Sequence, residues 1–313
     1  MGPLFHGGVR LRALENELRS RQLFDSRSFP AYALLAALAT SIAATVLLTD
    51  FSYDGSGLNG AFSCLAMFLA CALVARWLSF DRFGGAAEAI VLIIAFSLIT
   101  PLAGVLLAST NFPLADPLLS KLDRTLFFGF DRRTVVNQMA GWPPVFRDAL
   151  RFIYYSLQPQ PAILLSALFL AKQRDKAWHF VTAWMAALLF SLAIFPFVPA
   201  VGIPPYEIDF LGTFEGARSG DIRTLDVECL TGIIFFPSFH AAAAVLLAWG
   251  FSSVRGAAPL FVPLNVLMFG SALYAGSHYL VDLIAGGAVA WASIVISTKL
   301  HKRLALRTSI PST

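Results

Sequence analysis

Long apolar runs separated by short polar connections dominate the chain. A helix that crosses a bilayer needs about 20 mostly apolar residues, and eight segments approach this requirement, the sixth being short and polar at its start. They cover approximately residues 31–49, 60–80, 86–108, 148–171, 177–199, 238–254, 258–276 and 280–299. The pattern predicts an all-α fold: a polytopic membrane bundle of about eight transmembrane helices.

The connection over residues 109–147 has an amphipathic pattern of its own. Leucines recur there at helical spacing with charged residues between them, which predicts a helix lying in the plane of the membrane interface. The leucines are Leu114, Leu118, Leu119, Leu122 and Leu126. Such a helix is either a lid packed over the bundle or a wall of a lipid entrance, and the sequence leaves both roles open.

Composition supports the membrane assignment. Hydrophobic residues make up 57% of the chain and charged residues only 13%, roughly half the charged share of a soluble domain. The net charge of +4 gives no support for nucleic-acid binding. The three cysteines form neither a CxxC pair nor an even-numbered framework, so no zinc ribbon or disulfide scaffold is indicated.

Lys and Arg are concentrated in alternate connections, and this distribution predicts the orientation of the chain. They cluster in the N-terminal segment, in the links after the second, fourth and sixth spans, and in the C-terminal tail. With eight spans, all five clusters fall on one side, so both termini are predicted to be cytoplasmic. The 200–237 connection and the 277–279 corner then lie on the external side.

Two short polar sequences interrupt the apolar pattern at this external side: Phe-Pro-Ser-Phe-His over 236–240 and His-Tyr-Leu-Val-Asp over 278–282. Burying an ionisable group at the end of a membrane helix costs free energy, so the presence of such groups suggests a functional site. His278 and Asp282 share one helix face, where the carboxylate can fix the imidazole tautomer and create an activated nucleophile or base. His240 would supply the complementary acid.

The same residues permit several kinds of chemistry. Ser238 and the backbone amides at the opening of a helix suit an anionic phosphate oxygen. A metal site formed by His240, His278 and Asp282 is also chemically possible. Acyl transfer through Ser238 fits the residue types as well, although its flanking sequence is not a nucleophile elbow.

A second polar group is predicted on one helix face near the external end of the fourth span. Its members recur at spacing i, i+4, i+7 and i+11 and should face the bundle interior rather than lipid. They are Arg147, Arg151, Tyr154 and Gln158. Either substrate contact or hydrogen bonding between helices would explain them.

These motifs resemble those of the type 2 phosphatidic acid phosphatase (PAP2) superfamily. The resemblance rests on Phe-Pro-Ser-Phe-His, followed about forty residues later by Gly-Ser-His-Tyr-Leu-Val-Asp-Leu-Ile-Ala-Gly-Gly, and spans roughly residues 115–295. More narrowly, segments 122–131 and 155–160 are similar to bacterial relatives of inositolphosphorylceramide synthase and the inositolphosphotransferases.

The resemblance implies a mechanism and a set of residues for it. His278 would attack phosphorus to form a phosphohistidine, Asp282 would orient that nucleophile, and His240 would protonate the leaving group. Neither a metal nor another cofactor would be needed. Ser238 and the neighbouring amide of Phe239 would hold phosphate oxygens.

The chain departs from the phosphatase motifs in three places. Phe239 replaces a glycine, Ala272 replaces an arginine, and no Lys-x6-Arg-Pro motif precedes Ser238. The inositolphosphotransferase-like branch shares these losses, which leave a bound phosphate short of cations. Arg218 and Arg223 in the external 200–237 loop are predicted to fill that gap, because a guanidinium binds phosphate through two hydrogen bonds.

The leading hypothesis is an integral-membrane lipid phosphatase or phosphotransferase acting on a phospholipid, polyprenyl or sphingolipid-type phosphate. We expect it in a bacterial inner membrane with the site facing the periplasm, and we expect no nucleic-acid partner. Residues 1–85 would hold a cytoplasmic segment and two accessory spans, 86–300 a six-helix core, and 301–313 a cytoplasmic tail. The alternatives are a transporter using the same residues as a proton relay, whose site would usually lie near the midplane, and a catalytically inactive structural relative.

Overall fold

The computed structural model describes residues 25–126, 128–129, 131–204 and 210–308, without the side chains of 307 and 308. Residues 1–24 of the predicted N-terminal segment and 309–313 of the predicted tail lie outside this part. Within it are α1 (Phe29–Leu48), α2 (Leu58–Trp77), α3 (Asp81–Ala108), α4 (Asp116–Leu126), α5 (Arg132–Ala140), α6 (Pro144–Tyr155), α7 (Gln160–Leu170), α8 (Arg174–Ile194), α9 (Leu211–Ser219), α10 (Phe239–Phe251), α11 (Ala258–Ala275) and α12 (Leu280–Thr308), with strands β1 (Ser52–Tyr53) and β2 (Thr224–Leu225).

Among the described helices, six are long and apolar enough to cross a membrane: α1, α2, α3, α8, α11 and α12. Two further apolar helices, α7 and α10, are shorter. Together they correspond to the eight apolar segments of the sequence. The predicted fold class, an all-α polytopic helical bundle, is confirmed, and the chain is an integral membrane protein.

The fourth predicted segment is not one continuous helix. Residues 148–171 belong partly to α6 and partly to α7, with a break over residues 156–159. Pro159 and Pro161 explain the break, because proline lacks the backbone N–H that a helix interior needs and disfavours helical conformation in the residue before it. The prediction of a single span at this position was wrong.

The two predicted boundaries between the N-terminal region, the six-helix core and the tail fall inside helices. α3 begins at Asp81, before the boundary at residue 86, and α12 continues to Thr308, past the boundary at residue 300. The segments on either side of each boundary therefore share a helix.

A buried polar group attaches the first two helices to the third. Arg76 of α2 forms an ion pair with Glu88 of α3, and the Tyr32 hydroxyl of α1 donates a hydrogen bond to the same carboxylate at 3.0 Å. Glu88 is completely buried and Arg76 nearly so. Because a buried charge needs a partner to compensate for lost hydration, this contact holds α1 and α2 to the rest of the bundle.

α8 lies among α3, α10 and α12 and packs against all three. Large side chains of α8, such as Trp178 and Phe180, are completely buried, and so are the alanines over residues 241–244 of α10, apart from a trace of exposure. Small residues let membrane helices approach closely, which is how such helices gain packing contacts. This packing fixes the start of α10 in the bundle.

The connection after α1 pairs with the segment that leads towards α10. β1 and β2 form a short parallel pair, with Ser52 opposite Thr224 and Tyr53 opposite Leu225. β2 lies in the connection that leads into α10, so the pair is at the end of the bundle where α10 begins. The connection between α1 and α2 is thus linked to the 220–237 segment.

α4 is the helix that the leucine spacing predicts in the 109–147 connection. Leu118, Leu122 and Leu126 are exposed, whereas Leu119 and Asp123 on the other face are buried. The helix therefore turns apolar side chains outwards and a carboxylate inwards. Its position in a membrane interface stays a prediction.

Candidate active site

α10 brings His240 to one end of the bundle. The helix begins at Phe239, and Ser238 is its N-cap: the hydroxyl oxygen accepts a hydrogen bond from the Ala241 backbone N–H at 3.3 Å. Ser238 is completely buried, and capping is a role that serine commonly fills. The hydroxyl can accept in this cap and still donate its own proton to a phosphate oxygen, but Ser238 is not among the residues that line the cavity described below.

The corner over residues 276–279, between α11 and α12, carries His278. Its Nδ1 lies 3.4 Å from Oδ2 of Asp282, and the Tyr279 backbone N–H donates to the same oxygen at 2.9 Å. The first distance is long for a hydrogen bond. Asp282 is completely buried and His278 is nearly so. The structure thus brings together the histidine and the carboxylate that are four residues apart in the sequence.

The two polar sequences are joined through the backbone. The Ser238 N–H donates to the carbonyl oxygen of Asp282 at 3.1 Å. One turn further along α12, a Cβ atom at Gly286 would overlap the Ser238 carbonyl oxygen and lie 3.1 Å from the Cβ of Ala241. The absence of a side chain at Gly286 therefore permits the close approach of α10 and α12.

Both histidines line one cavity of about 320 Å³. Among the described lining residues there is no Lys, Arg, Asp or Glu, and most are apolar. The cavity therefore offers an apolar space beside the two imidazoles. Besides His240 and His278 it is lined by Ser97, Thr100, Pro101, Tyr154, Tyr155, Leu188, Phe210, Gly232, Ile233, Ile234, Phe235, Phe239, Ala275, Gly276 and Ser277.

His278 is held as a neutral imidazole. Burial lowers the pKa of His278 to about 3, and the positive charge of Arg132 acts in the same direction. A hydrogen bond from the ring to the Phe235 backbone acts in the opposite direction and raises the pKa of His278. When the Nδ1 proton of the neutral ring points to Asp282, an unshared electron pair stays on Nε2. That is the protonation state that a histidine nucleophile requires.

His240 is stacked on Tyr154 of α6. The ring centres are 3.9 Å apart and the ring planes differ by only 8°. The tyrosine oxygen lies 3.1 Å from Nδ1 of His240. Since the rings are parallel, this oxygen lies over the face of the imidazole, whereas the Nδ1 lone pair lies in the ring plane. Stacking is therefore the main contact, and an aromatic face stabilises an imidazole that carries a positive charge.

The structure does not bring Arg218 and Arg223 to this cavity. Nε of Arg223 lies 3.4 Å from a carboxylate oxygen of Asp50, and its guanidinium carbon lies 4.9 Å from the ring centre of Phe51. Arg218 packs over the ring of Phe214 at 5.3 Å. Neither arginine lines the cavity, so phosphate binding by Arg223 would require its contact with the connection after α1 to open.

The predicted polar face near the fourth segment is divided by the break after α6. Tyr154 lines the cavity, whereas Arg151 lies 3.6 Å from Asp148 on the same helix. Gln158 is exposed in the turn between α6 and α7. Because Gln158 lies beyond the end of the helix that carries Tyr154, their four-residue spacing does not place the two side chains on one face.

Three charged residues beside the corner were not among the predicted site residues: Asp116 and Asp123 of α4, and Arg132 of α5. The two aspartates are seven residues apart, on the side of α4 away from its exposed leucines, and this spacing was a usable signal. Arg132 donates to the carbonyl oxygen of Leu273, which is 141 residues away in the sequence. No local pattern indicates that contact.

The described part of the chain contains no group of three or more His, Cys, Asp or Glu side chains arranged to hold a metal ion. His240, His278 and Asp282 therefore do not form a ligand set in this structure.

Comparison with known families gives a match to this chain. A family model described as the PAP2 superfamily matches residues 117–296, more than half of the chain. The matched region begins in α4, ends in α12 and contains both histidines and Asp282. No curated protein and no solved structure matches the chain.

Proposed function

The chain belongs to the PAP2 superfamily, and from that premise we propose that it is a membrane phosphatase or phosphotransferase whose substrate is a phosphorylated lipid. Family membership supports a phosphatase-type activity in the membrane. The observation that carries the finer proposal is the meeting of His240 and His278 in one cavity, with Asp282 buried behind His278.

The proposed first step is attack by His278 on the lipid phosphate. The electron pair on Nε2 forms a bond to phosphorus, and the bond between phosphorus and the leaving oxygen breaks. His240, in its protonated form, donates a proton to that oxygen, so the alcohol leaves without building up charge. The product is a phosphohistidine at His278 and a neutral His240.

The second step regenerates the two histidines. Water or a second alcohol attacks phosphorus, the neutral His240 accepts its proton, and the bond to Nε2 breaks with its electrons returning to His278. Asp282 stabilises the intermediate, because a phosphorylated imidazole that keeps its Nδ1 proton is positively charged. Exclusion of water from an apolar cavity would favour an alcohol as acceptor.

Backbone amides at the start of α10 are the proposed ligands of the phosphate oxygens. The first N–H groups of a helix have no partner within the helix, and the positive end of its dipole favours anions. The Ala241 N–H is already bonded to Ser238, which leaves the amides of Phe239 and His240, whose residues line the cavity. Arg218 and Arg223 remain proposed ligands only for a rearranged 200–237 loop.

Within the superfamily we assign the chain to the inositolphosphotransferase-like branch, with bacterial relatives. The support is Phe239 and Ala272 at the two positions where the phosphatase motifs have glycine and arginine. We further propose a bacterial inner membrane location, cytoplasmic termini and a cavity that opens to the periplasm. The support is the alternation of Lys and Arg among the connections.

Conversion of lipid phosphates by the purified full-length protein tests the proposed function. Reconstituted protein is mixed with phosphatidylcholine vesicles that carry ³²P-labelled phosphatidic acid and phosphatidylinositol, with and without added free inositol. We expect release of phosphate or transfer of label to a new product, and no conversion by the double variant His240→Asn/His278→Asn. The matched control is Asp221→Asn, which changes an exposed carboxylate in the 200–237 connection. Equal conversion by the double variant would overturn the proposal.

Two substitutions of Tyr154 distinguish the contribution of its ring to turnover from the contribution of its hydroxyl. Tyr154→Phe keeps the stacked ring, and we expect its turnover to stay within about threefold of the wild type. Tyr154→Leu removes the aromatic face, and we expect turnover to fall roughly 5- to 30-fold, equivalent to about 1–2 kcal/mol of cation–aromatic stabilisation. Both rates are measured in the vesicle assay. If the Phe variant were as slow as the Leu variant, the hydroxyl rather than the stack would be what His240 needs.

A further inference from the structure

Two carboxylates of α4 bind the backbone around the corner that carries His278. Asp123 accepts one hydrogen bond from the Leu280 N–H and one from the Val281 N–H, each at 2.9 Å. These are the first amides of α12. Asp123 is almost fully buried, with 3% of its surface exposed, so its carboxylate faces the protein rather than water.

This contact replaces the usual cap of α12. The first amides of a helix need an external acceptor, and that acceptor is commonly a side chain just before the helix. At α12 the residue before the helix is Tyr279, whose side chain cannot fill that role. Asp123, 157 residues earlier in the sequence, supplies both oxygens, and its negative charge is favourable at the positive end of the helix dipole.

The second carboxylate holds the segment that pairs with the other side of the corner. Asp116 accepts hydrogen bonds from the Val201 N–H at 3.1 Å and from the Gly202 N–H at 2.9 Å. It also accepts one from the Tyr279 hydroxyl at 3.2 Å. The next residue, Ile203, donates its N–H to the carbonyl of Ser277 at 3.0 Å. Ser277 and Tyr279, the residues on either side of His278 in the sequence, are therefore both held by these hydrogen bonds.

Arg132 of α5 also bonds to the backbone near the corner. Its guanidinium donates to the carbonyl of Leu273 at 2.6 and 2.9 Å and to the carbonyl of Ile203 at 2.9 Å. Burial raises the pKa of Asp123, while the two backbone N–H groups and Arg132 act in the opposite direction. A buried cation thus acts on the buried carboxylate of Asp123 and also ties the end of α11 to the 201–203 segment.

We propose that Asp123 and Asp116 are positioning residues for His278 that clamp the corner from its two sides. Asp123 holds the first amides of α12, and Asp116 holds the Tyr279 hydroxyl and the 201–202 amides of the segment that bonds to Ser277. The proposal rests on the proposed role of His278 as nucleophile. A displacement of about 1 Å at a reacting group can cost on the order of 100-fold in rate, and the corner has no regular secondary structure of its own to hold the ring. The clamp also gives α4 a role in catalysis without contact to the substrate.

The test combines exchange of the first amides of α12 with turnover in the Asp123→Asn variant of the full-length protein. Asn keeps the size of the side chain, but its NH₂ group faces one of the two backbone N–H groups, so only one hydrogen bond survives. We expect the amides of residues 280–281 to exchange with deuterium roughly tenfold faster, while peptides from α10 stay unchanged. In the ³²P vesicle assay we expect kcat to fall about 10- to 100-fold with little change in KM.

Asp116→Asn is the second variant, in case Asp123→Asn does not fold, and it is expected to accelerate exchange at residues 201–203 with a similar loss of kcat. Asp221→Asn is the matched control, expected to match the wild type in both measurements. Unchanged exchange at residues 280–281 in a folded Asp123→Asn protein, or at residues 201–203 in a folded Asp116→Asn protein, would overturn the clamp, whatever the enzyme does. Faster exchange with wild-type kcat, while His278→Asn is inactive, would overturn the positioning role alone. Wild-type turnover by His278→Asn would instead overturn the proposed function.

Discussion

Replacing His278 by Asn is expected to reduce turnover of the lipid phosphate by about 10⁴-fold or more. The reason is that the variant has no ring nitrogen to attack phosphorus, and removal of a nucleophile that acts together with its partners removes most of the catalysis. Asn keeps an N–H donor for Asp282, so the buried carboxylate is not left without a partner. The measurement is the initial rate with ³²P-labelled lipid in vesicles.

The control for this variant is that the protein stays folded. Elution as a single species and an unchanged thermal transition would establish this for His278→Asn alongside Asp221→Asn. A folded His278→Asn protein with a rate within about tenfold of the wild type would mean that another group attacks phosphorus.

Replacing His240 by Asn is expected to slow the reaction by about 10²- to 10⁴-fold, the usual contribution of general acid–base catalysis. The loss should depend on the leaving group. An alkoxide leaving from a lipid phosphate needs a proton, whereas a nitrophenolate does not. With a nitrophenyl phosphate, therefore, formation of the phosphohistidine should be nearly as fast in His240→Asn as in the wild type. His278→Asn should be inactive with both substrates.

This comparison distinguishes the two histidines by role. The signal is the burst of nitrophenolate in the first turnover, because the second step still uses His240 as the base. An equal loss of that burst in both variants would contradict the assignment of His240 as the acid. Tyr154→Phe serves as a control for a change next to His240 that leaves the ring stack in place.

Much of the fold could be predicted from the sequence, because in a membrane the length and apolar content of a segment decide whether it spans. The closeness of His278 and Asp282 was predicted from helical spacing, but the predicted shared helix face was wrong: Asp282 lies in α12, whereas His278 lies in the corner before it. The failure at residues 148–171 has a local cause too: two prolines close together divide an otherwise apolar helix. Pro159 and Pro161 are therefore the signal in the sequence that indicates the break.

The parts that could not be predicted depend on contacts between distant segments. The stack of Tyr154 on His240 joins residues 86 positions apart, and the bonds from Asp123 to the start of α12 join residues 157 positions apart or more. The position of Arg223 could not be predicted for the same reason. Nothing in the 200–237 segment indicates that Asp50, in another connection, lies 3.4 Å from its guanidinium.

Trapping the intermediate tests the central claim most directly. Protein is mixed with ³²P-labelled substrate, quenched with alkali before the reaction is complete, digested and mapped by mass spectrometry. We predict an acid-labile phosphoryl group on the peptide that contains His278, absent from His278→Asn and present in Tyr154→Phe. Label on any other residue, Ser238 included, or turnover that proceeds with no labelled protein at half-conversion, would contradict the account.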